Sequence, residues 1–139
     1  MNIAIVCIAL NAMLVFLLGL WVSVQRTQEK VIYAGETLPP TSALAKAQRA
    51  HANAAEYAGA ITALFLLCSF TGTEGTVVLA AMIAITAARY LAAFGFLTCR
   101  TLATPHWAKA LGAIVTYLGG ITLAIYLAGY GLRVVGPLP

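Results

Sequence analysis

Residues 50–70 read AHANAAEYAGAITALFLLCSF, a run of 21 residues that is polar in its first turns and apolar thereafter. A transmembrane helix needs about 20 mostly apolar residues. Three further segments reach this length, namely residues 1–24, 76–98 and 107–132. The sequence therefore predicts four membrane-spanning helices.

The composition supports this prediction. Of the 139 residues, 62% are apolar and only 9% are charged, and the mean hydropathy is +0.93. A soluble domain of this size would carry far more charge on its surface. We therefore predict an all-α integral membrane protein. Residues 1–139 form a single domain, an up-down four-helix bundle with helices near residues 3–25, 42–70, 76–98 and 105–132.

The basic residues predict the orientation of this bundle. The net charge is +4, but the eight lysines and arginines are scattered, which argues against a nucleic-acid partner. By the positive-inside rule, the first and third loops are cytoplasmic and both termini lie on the other side. The second loop carries only Glu74, and Arg133 is the exception to the rule. The first segment lacks the basic start of a signal peptide, so we expect it to remain as a helix.

Local signals predict helix ends and contacts. Pro39 and Pro40 stop any helix before Thr41 or Ser42 caps the next one. Thr104 is predicted to cap the fourth helix, with Pro105 in its first turn. Two further predictions concern packing: Asn11 faces another helix, and small residues of the fourth helix allow close contact. These are Gly112, Gly119 and Gly120. The three cysteines have no CxxC spacing, so the sequence indicates neither a disulfide framework nor a metal site.

The most polar stretch of the chain is residues 48–57, QRAHANAAEY, at the entrance of the second helix. Because a helix advances 100° per residue, Arg49, Asn53 and Glu56 share one stripe, and His51 points to the opposite side. His51 is therefore interpreted as an interfacial histidine with a structural role.

Two charges lie at matching depth on neighbouring helices. We take Lys46 and Arg100 as markers of the cytoplasmic membrane surface. Glu56 is ten residues inward from Lys46, and Arg89 is eleven residues inward from Arg100. At 1.5 Å per residue, both lie about 15 Å deep. The sequence thus predicts an ion pair between Glu56 and Arg89. Such a pair is either a strut or part of a site, and the surplus of polar residues above it favours a site.

The other basic and histidine residues have simpler interpretations. Arg26, Arg100 and Lys109 are positive-inside charges, or they hold an anion at the cytoplasmic mouth. His106 is interpreted as a histidine at a loop end. No catalytic triad, P-loop, dinucleotide fingerprint or metal-ligand spacing is present. The residues indicate a cationic, amide-bearing pocket, and because four helices are too few to enclose it, we expect it between subunits.

The order Arg49, three residues, Asn53, two residues, Glu56 and Tyr57 resembles the second-helix signature of the MAPEG family. These are the membrane-associated proteins in eicosanoid and glutathione metabolism. The prolines at 39–40 precede the signature, and RAHANAAEY is especially similar to the bacterial members. The segment 88–90, Ala-Arg-Tyr, is similar to the helix-three arginine motif of the family.

The resemblance implies a homotrimer in a bacterial inner membrane, with glutathione bound between neighbouring subunits at the cytoplasmic side. It implies that the four signature residues bind glutathione, and it adds Arg26 and Arg89 as candidates. Catalytic members use an arginine near the start of helix four to stabilise the glutathione thiolate. A lipophilic acceptor then enters from the membrane.

This chain departs from the family pattern at several positions. Ala92 and Phe96 stand where catalytic members present tyrosine or histidine, and no arginine opens the fourth helix. Arg100 and Lys109 are the candidates to replace it. Three functions remain open. The first is a transferase that conjugates glutathione or a similar thiol to hydrophobic electrophiles, with or without peroxidase activity on lipid hydroperoxides. The others are a non-catalytic membrane protein that presents lipids to partners, and a structural bundle.

Overall fold

The computed structural model describes residues 2–31, 38–73 and 75–135, which form four long helices and no strand. The helices are α1, Ile3–Glu29; α2, Ala43–Phe70; α3, Thr76–Thr98; and α4, Trp107–Val135. Each contains a window long and apolar enough to cross a membrane. The predicted all-α membrane bundle is therefore confirmed. Glu74, which was used to predict the orientation, lies outside the described residues.

The start of α2 is fixed by two side chains. Ser42 caps the helix as predicted, because its hydroxyl accepts a hydrogen bond from the Ala45 N–H at 3.1 Å. Glu29, in the last turn of α1, accepts from the Leu44 N–H at 3.0 Å and from the Ser42 hydroxyl. The end of α1 is thereby tied to the helix that carries the polar stretch.

The start of α4 differs from the sequence prediction. The helix begins at Trp107, and the predicted cap at Thr104 is wrong. His106 takes this role, because the Ala108 N–H donates to its Nδ1 at 3.3 Å. The Thr104 hydroxyl instead donates to the backbone oxygen of Thr101 at 3.2 Å. The loop between α3 and α4 thus turns on itself before the helix begins.

Glycines bring α3 and α4 into close contact. A Cβ atom on Gly112 would lie 2.7 Å from the backbone oxygen of Ala88, and one on Gly119 would lie 2.7 Å from Ile85. Two of the three predicted contact glycines are therefore confirmed. A Cβ on Gly120 meets nothing within 4 Å in the described part of the chain, so the structure shows no close contact at this position.

A buried polar contact joins α1 to α3. The Asn11 amide donates to the Thr86 hydroxyl at 3.0 Å and to the backbone oxygen of Cys7 at 2.8 Å. Asn11 therefore faces another helix, as predicted, and its amide nitrogen has one acceptor on α1 and one on α3. The largest fully buried apolar side chains are Phe65, Leu44, Met82, Ile85 and Leu123.

Candidate functional site

A cleft of about 350 Å³ opens between α2, α3 and α4. Its lining combines basic, amide and phenol groups with small apolar side chains. The lining residues are Arg49, Asn53, Tyr57, Arg89, Ala92, Phe96, Pro105, His106, Lys109, Ala110, Ala113 and Tyr117. The cleft thus brings together five of the predicted site residues, namely Arg49, Asn53, Tyr57, Arg89 and Lys109. Glu56 is not among its lining residues.

The polar wall of the cleft is built around Arg89, whose side chain is only 3% exposed. Its Nη2 donates to the backbone oxygen and to the side-chain Oδ1 of Asn53, each at 2.7 Å. Its guanidinium carbon lies 4.6 Å from the centre of the Tyr57 ring. Asn53 and Tyr57 are one helical turn apart, so they flank the guanidinium from the same face of α2.

The predicted ion pair between Glu56 and Arg89 is wrong. Within the described residues, Glu56 pairs instead with Arg49 at 3.8 Å, and both side chains are more than half exposed. The reason is the rotation around the axis of α2. Glu56 follows Asn53 by three residues and is rotated from it by about 60° around this axis, away from Tyr57, which follows Asn53 by four residues. Glu56 is not among the lining residues of the cleft.

The guanidinium of Arg89 retains free donors. An arginine carries five N–H groups, and the hydrogen bonds of Arg89 within the described chain come from Nη2 alone. A buried donor without a partner costs free energy. Because this side chain also lines the cleft, its free N–H groups are suited to an anionic ligand.

Lys109 reaches the cleft from α4. A Cβ on Gly95 would lie 2.7 Å from the Lys109 backbone nitrogen, so this glycine lets the first turn of α4 approach α3. The Lys109 ammonium donates to the backbone oxygen of Thr104 at 2.9 Å and lies 5.6 Å from the centre of the Phe96 ring. A positive charge is thus held at the start of α4.

Two polar lining residues were not identified as site residues from the sequence. His106 was interpreted as a loop-end histidine, but it caps α4 and borders the cleft. Tyr117 was not considered, and it accepts a hydrogen bond from the Tyr57 hydroxyl at 2.9 Å. A sequence signal for Tyr117 existed, since Ala110, Ala113 and Tyr117 have the i, i+3, i+7 spacing of one helix face.

Three residues considered from the sequence lie elsewhere. Arg26 is half-buried in the last turn of α1 and Arg100 is exposed after α3, and neither lines the cleft. His51 points away from the cleft, as predicted. Its Nε2 would lie 3.3 Å from a Cβ on Gly19 of α1, so it packs between α1 and α2.

The chemistry available in the cleft follows from these groups. Arg49, Arg89 and Lys109 supply positive charge beside an amide and two phenols. Ala92 and Phe96 of α3 and two alanines of α4 supply an apolar wall. In the described parts of the chain, no group of three histidine, cysteine or carboxylate side chains is placed to hold a metal ion. The cleft is suited to a ligand with an anionic end and an apolar end.

Comparison with known proteins identifies the family of the chain. The family model described as MAPEG family matches residues 4–129, which include all four helices. No curated protein and no solved structure matches the chain. The chain therefore belongs to the MAPEG family and is a multi-pass membrane protein of that glutathione and eicosanoid metabolism family.

Proposed function

We propose that the protein is a membrane-bound glutathione transferase that conjugates the thiol to hydrophobic electrophiles at the cytoplasmic membrane boundary. A peroxidase activity on lipid hydroperoxides would use the same thiolate. The family is broadly associated with glutathione. Within this chain, the proposal assigns the glutathione site to the polar wall of the cleft, formed by Arg49, Asn53, Tyr57 and Arg89.

The observation that carries the proposal is the state of Arg89. This guanidinium is buried, is held in place by Asn53, and has N–H groups without a partner in the described chain. Such a group is suited to a carboxylate, which accepts two parallel hydrogen bonds from arginine. Glutathione has two carboxylates and one thiol. Arg49 also lines the cleft, and because its 3.8 Å pair with Glu56 is exposed and weak, we assign the second carboxylate to it.

The thiolate requires a positive charge of its own. A thiol reacts as its thiolate, and a neighbouring cation lowers the thiol pKa. We assign this role to Lys109, because Lys109 lines the cleft and Arg100 does not. Its ammonium is a point charge without the forked donors of arginine. The apolar wall around Ala92 and Phe96 then receives the lipophilic acceptor.

The exposed face of α2 supports a homotrimer with the site between subunits. Glu56 and Arg49 are more than half exposed on this face, although α2 is long and apolar enough to span the membrane. Charged side chains in membrane spans face protein or water rather than lipid. A Cβ on Gly59 of the same face meets nothing within 4 Å, which leaves room for another helix. A neighbouring subunit would cover this face. In the trimer, Glu56 and Arg26 would then complete the ligand site between subunits.

The orientation and location are also part of the proposal. The basic residues around the first and third loops support a cytoplasmic position for the mouth of the cleft, with both termini on the other side. By resemblance to bacterial members of the family, we assign the protein to a bacterial inner membrane. Glutathione would then enter from the cytoplasm and the acceptor from the lipid.

The test uses the purified wild-type protein in detergent. Stopped-flow ultraviolet absorbance should detect glutathione thiolate on mixing, and 1-chloro-2,4-dinitrobenzene should be turned over. The variant Arg49→Met removes an exposed cleft cation without opening the core. It should weaken glutathione binding by about tenfold, as the loss of one hydrogen bond to a charged group predicts. Absence of glutathione binding to the wild type would refute the proposal.

A second candidate is a non-catalytic protein that binds lipids or acts as a scaffold. The observation in its favour is that Ala92 and Phe96 leave the α3 side of the cleft without polar groups for a reacting ligand. In that case glutathione or a lipophilic small molecule would bind, but neither thiolate nor turnover would be detected. The same experiment therefore separates the two functions.

A further inference from the structure

The C-terminal end of α4 carries a second polar cluster, and none of its residues lines the cleft. Tyr126, Tyr130 and Arg133 have the i, i+4, i+7 spacing of one helix face. Together with Ile125 and Gly129, they line a cavity of about 320 Å³. Arg133 is also the basic residue that the positive-inside rule leaves unexplained, so this cluster requires an account of its own.

The length of α4 places this cluster at a membrane boundary. Trp107 begins the helix and marks one interface. The hydrocarbon core takes about 20 residues of helix, so it ends near residue 127. Tyr126 therefore lies at the boundary, and Arg133 lies about two turns beyond it in the headgroup layer. Because the side chains of a helix tilt towards its N-terminus, Arg133 reaches back towards the membrane.

Gly129 leaves the space between these side chains open. It lies three residues after Tyr126 and four before Arg133, and a Cβ at this position would meet nothing within 4 Å. Arg133 is exposed, and in the part of the chain that the structure describes no carboxylate pairs with it. A guanidinium and two phenol hydroxyls are hydrogen-bond donors for an anion, and the guanidinium matches the geometry of a phosphate.

A second cavity adjoins the first on its membrane side. It has a volume of about 250 Å³ and lies between the first two turns of α3 and the part of α4 just before Tyr126. Tyr126 lines both cavities. Apart from Tyr126 and two threonines, the lining is apolar or glycine, namely Gly75, Val77, Val78, Ala81 and Leu123. A site for an anion thus adjoins an apolar slot, which suits a phospholipid better than a free phosphate ion.

We propose that this cluster binds the phosphate of an anionic phospholipid, with one acyl chain in the slot between α3 and α4. By the orientation proposed above, the lipid belongs to the non-cytoplasmic leaflet. The site is separate from the glutathione site, so the inference does not depend on the proposed transferase. It explains why Arg133 lies on the side of the membrane where few basic residues are expected.

A structural role for the arginine is the simpler alternative. Arg133 is the basic residue in the last turn of α4, where a positive charge stabilises the helix end. That role requires neither the two phenols nor the open space at Gly129. A variant that fills this space and keeps the charge therefore separates the two explanations.

The experiment measures the Kd of dioleoyl phosphatidylglycerol for the purified protein in detergent by native mass spectrometry. Dioleoyl phosphatidylcholine, a zwitterionic lipid with the same chains, should bind more weakly to the wild type. Arg133→Gln should raise the Kd of phosphatidylglycerol by about tenfold, as the loss of a hydrogen bond to a charged group predicts. Gly129→Leu should raise it to a similar extent. The control Arg100→Gln removes an exposed arginine near the other membrane surface and should leave this Kd unchanged.

Other results overturn the inference. Equal affinity for the two lipids, or an equal loss in Arg133→Gln and Arg100→Gln, would mean that these arginines attract lipid by charge alone. Unchanged binding in Gly129→Leu would exclude the cavity as the site. An unchanged Kd with lower thermal stability in Arg133→Gln would leave only the role at the helix end.

Two further outcomes would assign the site to another occupant. Displacement of phosphatidylglycerol by excess inorganic phosphate would make it a site for a free anion. Dissociation of the oligomer by Gly129→Leu would mean that a neighbouring subunit, rather than lipid, covers this face.

Discussion

Arg89 of α3 donates from a single nitrogen to both oxygens of Asn53 of α2, each at 2.7 Å. An arginine in a membrane span is costly unless it has partners. Here a neutral amide residue, rather than a carboxylate, supplies the partner. The positive charge of Arg89 is therefore not neutralised by its main contact, and it remains available to a ligand.

The first prediction concerns the stability of this contact. Asn53→Leu removes the side-chain acceptor from a buried guanidinium, so the free energy of unfolding should fall by about 1–3 kcal/mol. In combination with Arg89→Met, the loss should be smaller than the sum of the two single losses. Denaturation of the ligand-free protein in mixed detergent micelles measures all three variants.

Glu56→Gln is the matched control for that cycle. The pair between Glu56 and Arg49 is 3.8 Å long and exposed, so its loss should cost no more than about 1 kcal/mol. Glu56→Gln and Arg89→Met should be additive. If Arg89 were instead coupled to Glu56 and not to Asn53, the ion pair expected from the sequence would be correct. That result would contradict the contact between Arg89 and Asn53.

The comparison of Asn53 with Glu56 illustrates what the sequence predicts and what it does not. The number and span of the helices follow from the length of the apolar segments, because the membrane fixes that length. The polar face of α2 also follows from its periodicity. Which residue of that face meets Arg89 depends on the rotation of α2 about its axis, and helical spacing alone leaves a difference of 60° unresolved.

The contribution of α4 to the cleft was harder to predict. His106, Lys109 and Tyr117 come near the polar stretch only because α3 and α4 are in close contact at Gly95 and Gly112. Helix crossing depends on the packing of both surfaces. Glycines in one sequence indicate close contact but do not identify the partner helix, so the phenol pair was missed.

The second prediction tests that close contact. In Gly112→Ala, the new methyl group would lie 2.7 Å from the Ala88 oxygen and 2.8 Å from the Ala92 Cβ. Because a backbone oxygen cannot move aside, the helices must separate, and we expect a loss of about 1–3 kcal/mol. Gly120→Ala meets nothing within 4 Å and should change stability by less than about 0.5 kcal/mol. Thermal unfolding in detergent compares the two, and equal values would contradict the crossing.

The third prediction concerns assembly. Gly59 lies on the exposed face of α2 one turn from Glu56, and Gly59→Leu would fill the space assigned to a neighbouring subunit. Native mass spectrometry in detergent should find a trimer for the wild type and a shift towards monomer for Gly59→Leu. The control is Gly129→Leu, in the C-terminal part of α4, which also has space for a side chain and should remain trimeric. A monomeric wild type would remove the proposed site between subunits.

The fourth prediction separates Lys109 from Arg100 as the cation that stabilises the thiolate. Lys109 lines the cleft beside Phe96, whereas Arg100 is exposed outside it. Lys109→Met should abolish the rapid thiolate absorbance and lower kcat/KM for 1-chloro-2,4-dinitrobenzene by about 100-fold, the usual effect of losing one stabilising group. Lys109→Arg retains the charge and should restore most of the absorbance. Arg100→Met should keep the thiolate signal of the wild type, since an exposed charge at a distance is screened by salt. Loss of the signal in Arg100→Met, with its retention in Lys109→Met, would transfer the role to Arg100.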